Sequence, residues 1–384
     1  MDNLKICTKC IYDESISGIY FDESGICNYC HTMERFKADF GTGTEEGQRK
    51  LKEIIDQIKK DGNGKKYDCV VGVSGGTDSS YLLVKLVEWG LRPLAVHYDN
   101  TWNSAIATEN IRKVLGKLKI DLFTYVIDNK EADDLLLSFM NASVPEIEAP
   151  TDLALAEVMY RAASKYNVKY VMEGHSFITE GIAPVGTVYF DGKYIASIHK
   201  KFGKLPMKTY PLMTFYQFMK WTLFKRIKKI RPLWYIPYSK EEAREYLIKE
   251  FNWEYYGGHH LENRMTSFFH VYWAYKKFGL DFRNLSIAAS VRSGMISREE
   301  GIEQYFNQKP EEDESLVEYA CNRLGLTGEE LEALVNAPNK TYKDYKTYKK
   351  RFERLRPLFY LLAKSNLIPM SFYVKYCLKE KGQK

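Results

Sequence analysis

The sequence predicts an α/β protein: a doubly wound, mostly parallel sheet with a four-cysteine module before it and a helical region after it. Three observations predict this. A short apolar run, Cys69-Val-Val-Gly-Val73, passes through a glycine-rich turn into a helical pattern. Strand-like and helix-like stretches then alternate as far as residue 176. Two C-x-x-C pairs precede the first strand.

The cysteines come first in the chain. Cys7-x-x-Cys10 and Cys27-x-x-Cys30 are separated by sixteen residues. Each pair makes a knuckle presenting two thiolates, and two knuckles close a tetrahedron, which predicts a zinc-ribbon-like module over residues 1–45. Gly25 suits the turn before Cys27, and residues 12–26, with Ile19, Tyr20 and Phe21, suit a small hairpin. Iron–sulfur ligation and free thiols or disulfides are the alternatives. His31 reads as a bystander, because four sulfurs close a structural Zn²⁺ site. Cys69, Cys321 and Cys377 are scattered, and Cys69 reads as a small core residue.

The turn after the first strand is Ser74-Gly-Gly-Thr-Asp-Ser79. Glycines there allow close approach of a ligand, and the free N–H groups of the following helix favour an anion. Ser74, Thr77 and Ser79 add hydroxyls. No lysine follows the glycines, so this is not the Walker pattern, nor is it G-x-G-x-x-G. A second strand over 93–98 leads into Asp99, followed by a helix over 104–118, a strand over 121–127, a helix over 151–167 and a strand over 168–172 ending in Glu173-Gly-His-Ser176. Ligands of such sheets bind at the carboxyl ends of the strands, where Ser74, Asp99 and Glu173 fall.

Between Lys193 and Lys240 stand twelve Lys or Arg and no acid. This block, which contains Lys200, suits an anionic substrate, RNA, a membrane surface, or simply the solvated face of an amphipathic helix over part of 213–231. Residues 340–384 are basic and aromatic and read as helical and mainly structural. In 255–272 a Gly-Gly turn leads through His259, His260, Glu262 and Arg264 into a helix. His260 and Glu262 suit a proton or a metal, and Arg264 suits a phosphate or carboxylate; a capped core helix is the plainer alternative. Ser297 and Glu300 form a capping box, with Arg292 and Ser293 on the loop before it.

A length of 384 residues suggests two or three domains, placed at 1–45, 46–240 and 241–384. Hydrophobic content of 45% and charged content of 28% are those of a globular chain. No apolar run reaches membrane-spanning length and no signal pattern opens the sequence. With seven cysteines, four of them in metal-type spacing, the expected location is cytoplasmic.

The string Ser-Gly-Gly-x-Asp-Ser at 74–79 resembles the PP-loop of the ATP pyrophosphatases. Together with the cysteine quartet, Met172-Glu-Gly-His-Ser176, Arg231-Pro-Leu-Trp-Tyr-Ile-Pro-Tyr238 and the Tyr-Gly-Gly-His-His-x-Glu-Asn-Arg segment at 256–264, it makes most of the chain similar to the N-acetyl sugar amidotransferases of bacterial surface-polysaccharide synthesis. That resemblance implies ATP, Mg²⁺ and Zn²⁺ as cofactors. It implies a UDP-linked acetamido sugar acid as substrate, and ammonia from a glutaminase subunit working with a barrel subunit like those of imidazole glycerol phosphate synthase. It places ATP on Val73, Ser74, Gly75, Gly76, Thr77, Asp78, Ser79, His97, Asp99, Glu173 and His175, with Asp78 holding Mg²⁺, and it makes Ser74, Asp78, Lys200, His260 and Arg264 the candidate catalytic groups. The aromatic segment 205–238 is the candidate partner surface. A tRNA thiolase would share the cysteine module and the loop, but no second C-x-x-C follows the loop, so a nucleic-acid partner is not expected; a non-catalytic scaffold is the third reading.

Overall fold

The structure, a computed structural model, describes residues 4–184, 188–257, 262–310, 313–365 and 367–378. Among these, five parallel strands form one sheet: β1 (Cys69–Gly72), β2 (Pro93–Asp99), β3 (Leu122–Val126), β4 (Tyr170–Met172) and β5 (Lys228–Ile230), in the order β3-β2-β1-β4-β5. The pairing is in parallel register throughout, with Val70 opposite Leu94 and Val171, and Met172 opposite Ile230.

The period-two alternation of the central strands separates two cores. Cys69, Val71, Ala95, Tyr170 and Met172 face one side, packing against helices α2 (Glu45–Asp61), α3 (Thr77–Glu88), α4 (Ala105–Leu118) and the helix Lys240–Phe251. Val70, Leu94, Val96, Tyr98 and Val171 face the other side, under α6 (Ala149–Lys165) and Trp221. The sheet is therefore doubly wound. The buried thiol of Cys69 belongs to the first of these cores.

β5 corrects the sequence reading. Part of the stretch taken as one amphipathic helix is helical over Phe215–Phe224, but Lys228–Ile230 is an edge strand. In the segment 205–238, Phe215 and Phe218 pack against Phe352, Phe359 and Phe372 and Trp221 is buried under the sheet, whereas Leu205, Tyr216 and Phe224 are exposed. Among the described residues of the cysteine module no hairpin strands form; isolated bridges join Ile6 to Asp13 and Phe21 to Cys27. The Ser297–Glu300 capping box is present.

Beyond the sheet, α5 (Asn129–Ala142), α7 (Gly192–Phe202) and the helix Phe268–Lys277 share a third core centred on Phe139, Tyr194 and Trp273. Glu146 lies inside it, accepting hydrogen bonds from the Tyr189 N–H at 3.2 Å and the Tyr194 hydroxyl at 3.0 Å. Burial outweighs these two bonds and lifts its carboxyl from the ordinary 4.5 to about 7. The folded pKa lies above the unfolded one, so the fold is favoured most below pH 4.5 and loses this contribution as pH rises through about 7, by roughly 3 kcal/mol in all. We expect Glu146→Gln to flatten the loss of stability between pH 5 and 8. Urea midpoints of the two proteins that fall in parallel over that range would contradict it.

No helix among the described residues is long and apolar enough to cross a membrane.

Candidate active site

The turn between β1 and α3 is built to hold a fixed shape. Gly75 has φ +82°, the left-handed region open to glycine, and a Cβ there would come within 2.7 Å of the Ala107 carbonyl carbon on α4. Ser79 Oγ accepts from the Ser74 N–H at 3.3 Å and donates to the Gly76 carbonyl at 3.2 Å, while Ser74 Oγ accepts from the Gly76 N–H at 3.2 Å. The serines thus brace the turn as well as offering hydroxyls. α3 begins at Thr77 with no side-chain cap from Gly76.

His97 supports this turn from β2. Its Nδ1 lies 2.9 Å from the Val73 carbonyl and its Nε2 lies 3.1 Å from Asn103 Nδ2. The Asn103 carbonyl oxygen accepts from Asn263 Nδ2 at 3.0 Å, which turns the Asn103 amide N–H toward the imidazole and leaves Nδ1–H to donate to Val73. Asn263 in turn caps the helix that starts at Arg264, accepting from the Met265 and Thr266 N–H groups. Backbone bonds run alongside: Ser104 N–H donates to the Glu262 carbonyl at 2.9 Å and Arg264 N–H to the Trp102 carbonyl at 2.9 Å. The segment at 262–264 is therefore stitched to the loop after β2. This chain of contacts was invisible in the sequence, because nothing marks two asparagines 160 positions apart as partners.

At the carboxyl end of β4, Glu173 is clamped by the Lys229 ammonium and by Arg231 Nε at 2.9 Å. Burial raises its pKa, but the two cations outweigh burial and hold the carboxyl down at about 2. His175 accepts from Trp234 Nε1 at 3.3 Å and lies 3.5 Å from Glu180. Gly174 leaves room for the first turn of α3, since a Cβ there would sit 3.2 Å from the Asp78 backbone.

These parts surround one cavity of about 860 Å³, which Val73, Ser74, Ser79, His97, Glu173 and His175 line together. Glu262 lines it too, reaching across to the loop so that its Oε1 would lie 3.0 Å from a Cβ at Gly76.

Several sequence-predicted residues stand elsewhere. Both oxygens of Asp78 are engaged, one by the Tyr238 hydroxyl and the other by Lys240 Nζ at 2.8 Å, and Asp78 is not among the residues that line the cavity. Asp99 accepts from the Thr101 N–H at 2.7 Å; it holds a turn in which Thr101 has φ +60°. Arg264 is exposed, its guanidinium 4.6 Å from the centre of the Tyr319 ring and outside the cavity lining. Lys200 is exposed in the last turn of α7 and does not line the cavity. Charge alone made these two candidates, and charge gives no side-chain direction. His260 lies outside the described residues.

The cysteines do converge. Cys7, Cys10, Cys27 and Cys30 are buried, with sulfur–sulfur distances of 3.8, 3.7 and 3.6 Å for Cys7–Cys30, Cys10–Cys27 and Cys27–Cys30. Four thiolates about 2.3 Å from one tetrahedral ion stand about 3.8 Å apart, so the set fits a single ion. Arg292, placed on a loop by the sequence reading, stands in the last turn of the helix Arg283–Ser293 and is buried, with Nη2 3.2 Å from Cys10 Sγ and its guanidinium stacked 4.1 Å from the centre of the Tyr12 ring. Arg298 donates to the Cys7 carbonyl at 3.0 Å.

Comparison with known proteins adds the following. Residues 262–356 match the family model described as LPS biosynthesis protein WbpG-like, C-terminal domain. This meets the resemblance read from the sequence. The WbpG-like segment starts at Glu262, the carboxylate that reaches the loop, and includes Asn263. An uncharacterized protein of Methanocaldococcus jannaschii is 26% identical over 324 residues, covering 83% of this chain and 99% of that protein. Among solved structures, the NH3-dependent NAD synthetase of Campylobacter jejuni aligns over 76% of this chain and 97% of its own, at 16% identity and TM-score 0.31. The U34-tRNA thiolase NcsA of Methanococcus maripaludis, solved with its [4Fe-4S] cluster, aligns over 90% of this chain and 100% of its own, at 14% identity and TM-score 0.31. Likeness at that level assigns no residue a role.

Proposed function

We propose that this protein is the synthetase component of an ATP-dependent amidotransferase, which converts an N-acetyl group of a UDP-linked sugar acid to an acetamidino group in surface-glycan synthesis. The observation that carries the reading is a shared cavity: the Ser-Gly-Gly-x-Asp-Ser loop and the WbpG-like segment line the same 860 Å³ space and are hydrogen-bonded to each other through Asn263, Asn103 and His97.

The chemistry follows from the groups present. An amide carbonyl is a poor electrophile and its oxygen a poor leaving group. Attack of the acetamido oxygen on the α-phosphorus of ATP gives an O-adenylyl imidate and pyrophosphate; ammonia then displaces AMP. The protein's part is placement and charge stabilisation. The N–H groups at the start of α3 and the hydroxyls of Ser74, Thr77 and Ser79 hold the pyrophosphate, and His97 keeps the Val73 carbonyl in place. Glu262 is the carboxylate we assign to Mg²⁺, which would supply charge neutralisation on the phosphates when bound; Asp78 instead anchors Lys240 and Tyr238. The cysteine quartet holds one structural Zn²⁺, in keeping with its sulfur spacing.

The test supplies UDP-diacetamido-uronate and ATP with an ammonium salt or with glutamine. Ammonium should yield a product lighter by about one dalton, as NH replaces O, with AMP formed in equal amount; glutamine should work only after a glutaminase is added. Efficient use of glutamine by the isolated chain, or unchanged sugar mass despite AMP release, would contradict the proposal.

A further inference from the structure

The cavity extends well beyond the loop after β1. Its far part is lined by Phe190, Phe372, Lys375 and Tyr376, the last three from the C-terminal residues that the sequence marked as mainly structural. Lys229 and Arg231 line it as well, from the carboxyl end of β5. The two cations on β5 share one carboxylate, Glu173, and so keep a net positive charge. Lys375 has no carboxylate paired with it among the described residues; its ammonium lies 3.7 Å from the centre of the Phe190 ring. Cationic groups thus line one cavity from elements more than a hundred residues apart, together with the carboxylates of Glu148, Asp152, Asp191 and Glu262; Lys229 disfavours the charge on Lys375, while Asp152 favours it.

Lys229, Arg231 and Lys375 bring three positive charges to the cavity where Glu173 answers two of them, and that excess favours an incoming anion. We propose that Lys375, together with Lys229, binds an oxyanion of the acceptor nucleotide sugar, its diphosphate or its carboxylate, and so fixes the acetamido end toward the loop. This rests on the nucleotide-sugar reading above and adds a residue to it. Burial is the main cause that brings the Lys375 amine down to about 8, with repulsion from Lys229 adding to it and Asp152 opposing it. A substantial neutral fraction at pH 8 makes this amine open to acylation.

That reactivity provides a test apart from turnover. The full chain is treated at pH 8 with an acetylating reagent and the modified lysines are read by mass spectrometry. UDP-glucuronate at ten times its Kd should slow acetylation of Lys375 by about tenfold, whereas ATP alone should leave it unchanged. In titrations, Lys375→Met should weaken UDP-glucuronate at least about tenfold, or about 1.4 kcal/mol, with ATP affinity kept, and Lys375→Arg should restore most of the loss. UDP-N-acetylglucosamine separates the two oxyanions. An equal loss with it assigns Lys375 to the diphosphate, and a loss confined to UDP-glucuronate assigns it to the carboxylate. UDP-glucuronate that binds without protecting Lys375, or protection by ATP alone, would overturn this assignment and leave the nucleotide-sugar reading intact. ATP binding with no UDP-glucuronate binding would overturn both.

Discussion

Gly75→Ala should reduce ATP cleavage by about a hundredfold or more while leaving the sheet folded. The left-handed conformation at this position costs an alanine about 1–2 kcal/mol. The methyl group would also collide with the Ala107 carbonyl on α4, which is backbone and cannot swing aside. The turn must therefore move, and with it Ser74 and the N–H groups opening α3. A displacement of about 1 Å in a positioning element is enough for a loss of that size. Gly279→Ala is the control: its φ is +65°, but nothing stands within 4 Å, so it carries the conformational cost without the collision. Pyrophosphate release and far-ultraviolet dichroism measured on both variants decide the matter. Equal activity of Gly75→Ala and Gly279→Ala would show that the shape of the turn is not what the reaction needs.

Cys27→Ser should remove the zinc we propose for the cysteine quartet and destabilise more than the first 45 residues. Zinc binding by small structural modules is worth on the order of 10 kcal/mol, and replacing one thiolate forfeits much of it. The effect should spread because the module's core includes Ala288 and Val291. Arg292, held against Cys10 Sγ, would be left beside an emptied sulfur cluster. A Cβ on Gly301 would meet Ile11 at 3.0 Å, so this helix also sits directly on the module. We expect zinc content near zero by elemental analysis, and faster amide exchange over 283–302 as well as over 4–40. Wild-type zinc content and exchange in the variant would count against both the metal and the coupling; an iron signal in the wild-type protein would replace the metal.

Much of the sheet could be read in advance. β1 to β4 are flanked by helices whose apolar spacing differs from theirs, and the glycine-rich turn fixes where one period gives way to the other. β5 escaped because Lys228-Lys229-Ile230 offers one apolar residue in three and lies in a basic stretch of helical appearance. It is stable as a strand because it pairs with β4 and because Glu173 receives the Lys229 ammonium. At the site, residues defined by backbone chemistry were legible: the glycines, the serines of the turn, and the cysteines with their spacing. Residues chosen for charge were not. Arg264 and Lys200 point away, Asp78 is spent on Tyr238 and Lys240, and Lys375 carries a better claim to the cavity than either of the first two. Spacing along a chain constrains local geometry, whereas the direction of a long charged side chain depends on packing that only the folded chain supplies.

The stitching of residues 102–104 to residues 262–264 bears on how such proteins can be recombined. A chimera that takes residues 262–356 from one relative and the nucleotide fold from another would carry half of the Asn103–Asn263 pair from each parent. If the two halves do not match, the imidazole of His97 loses the partner that sets its tautomer, and the glycine-rich turn after β1 loosens although no residue in it has changed. The crossover point that respects this contact is therefore not the sequence boundary near residue 262. It must bring the loop 97–104 along with the C-terminal segment, so that the two are inherited together.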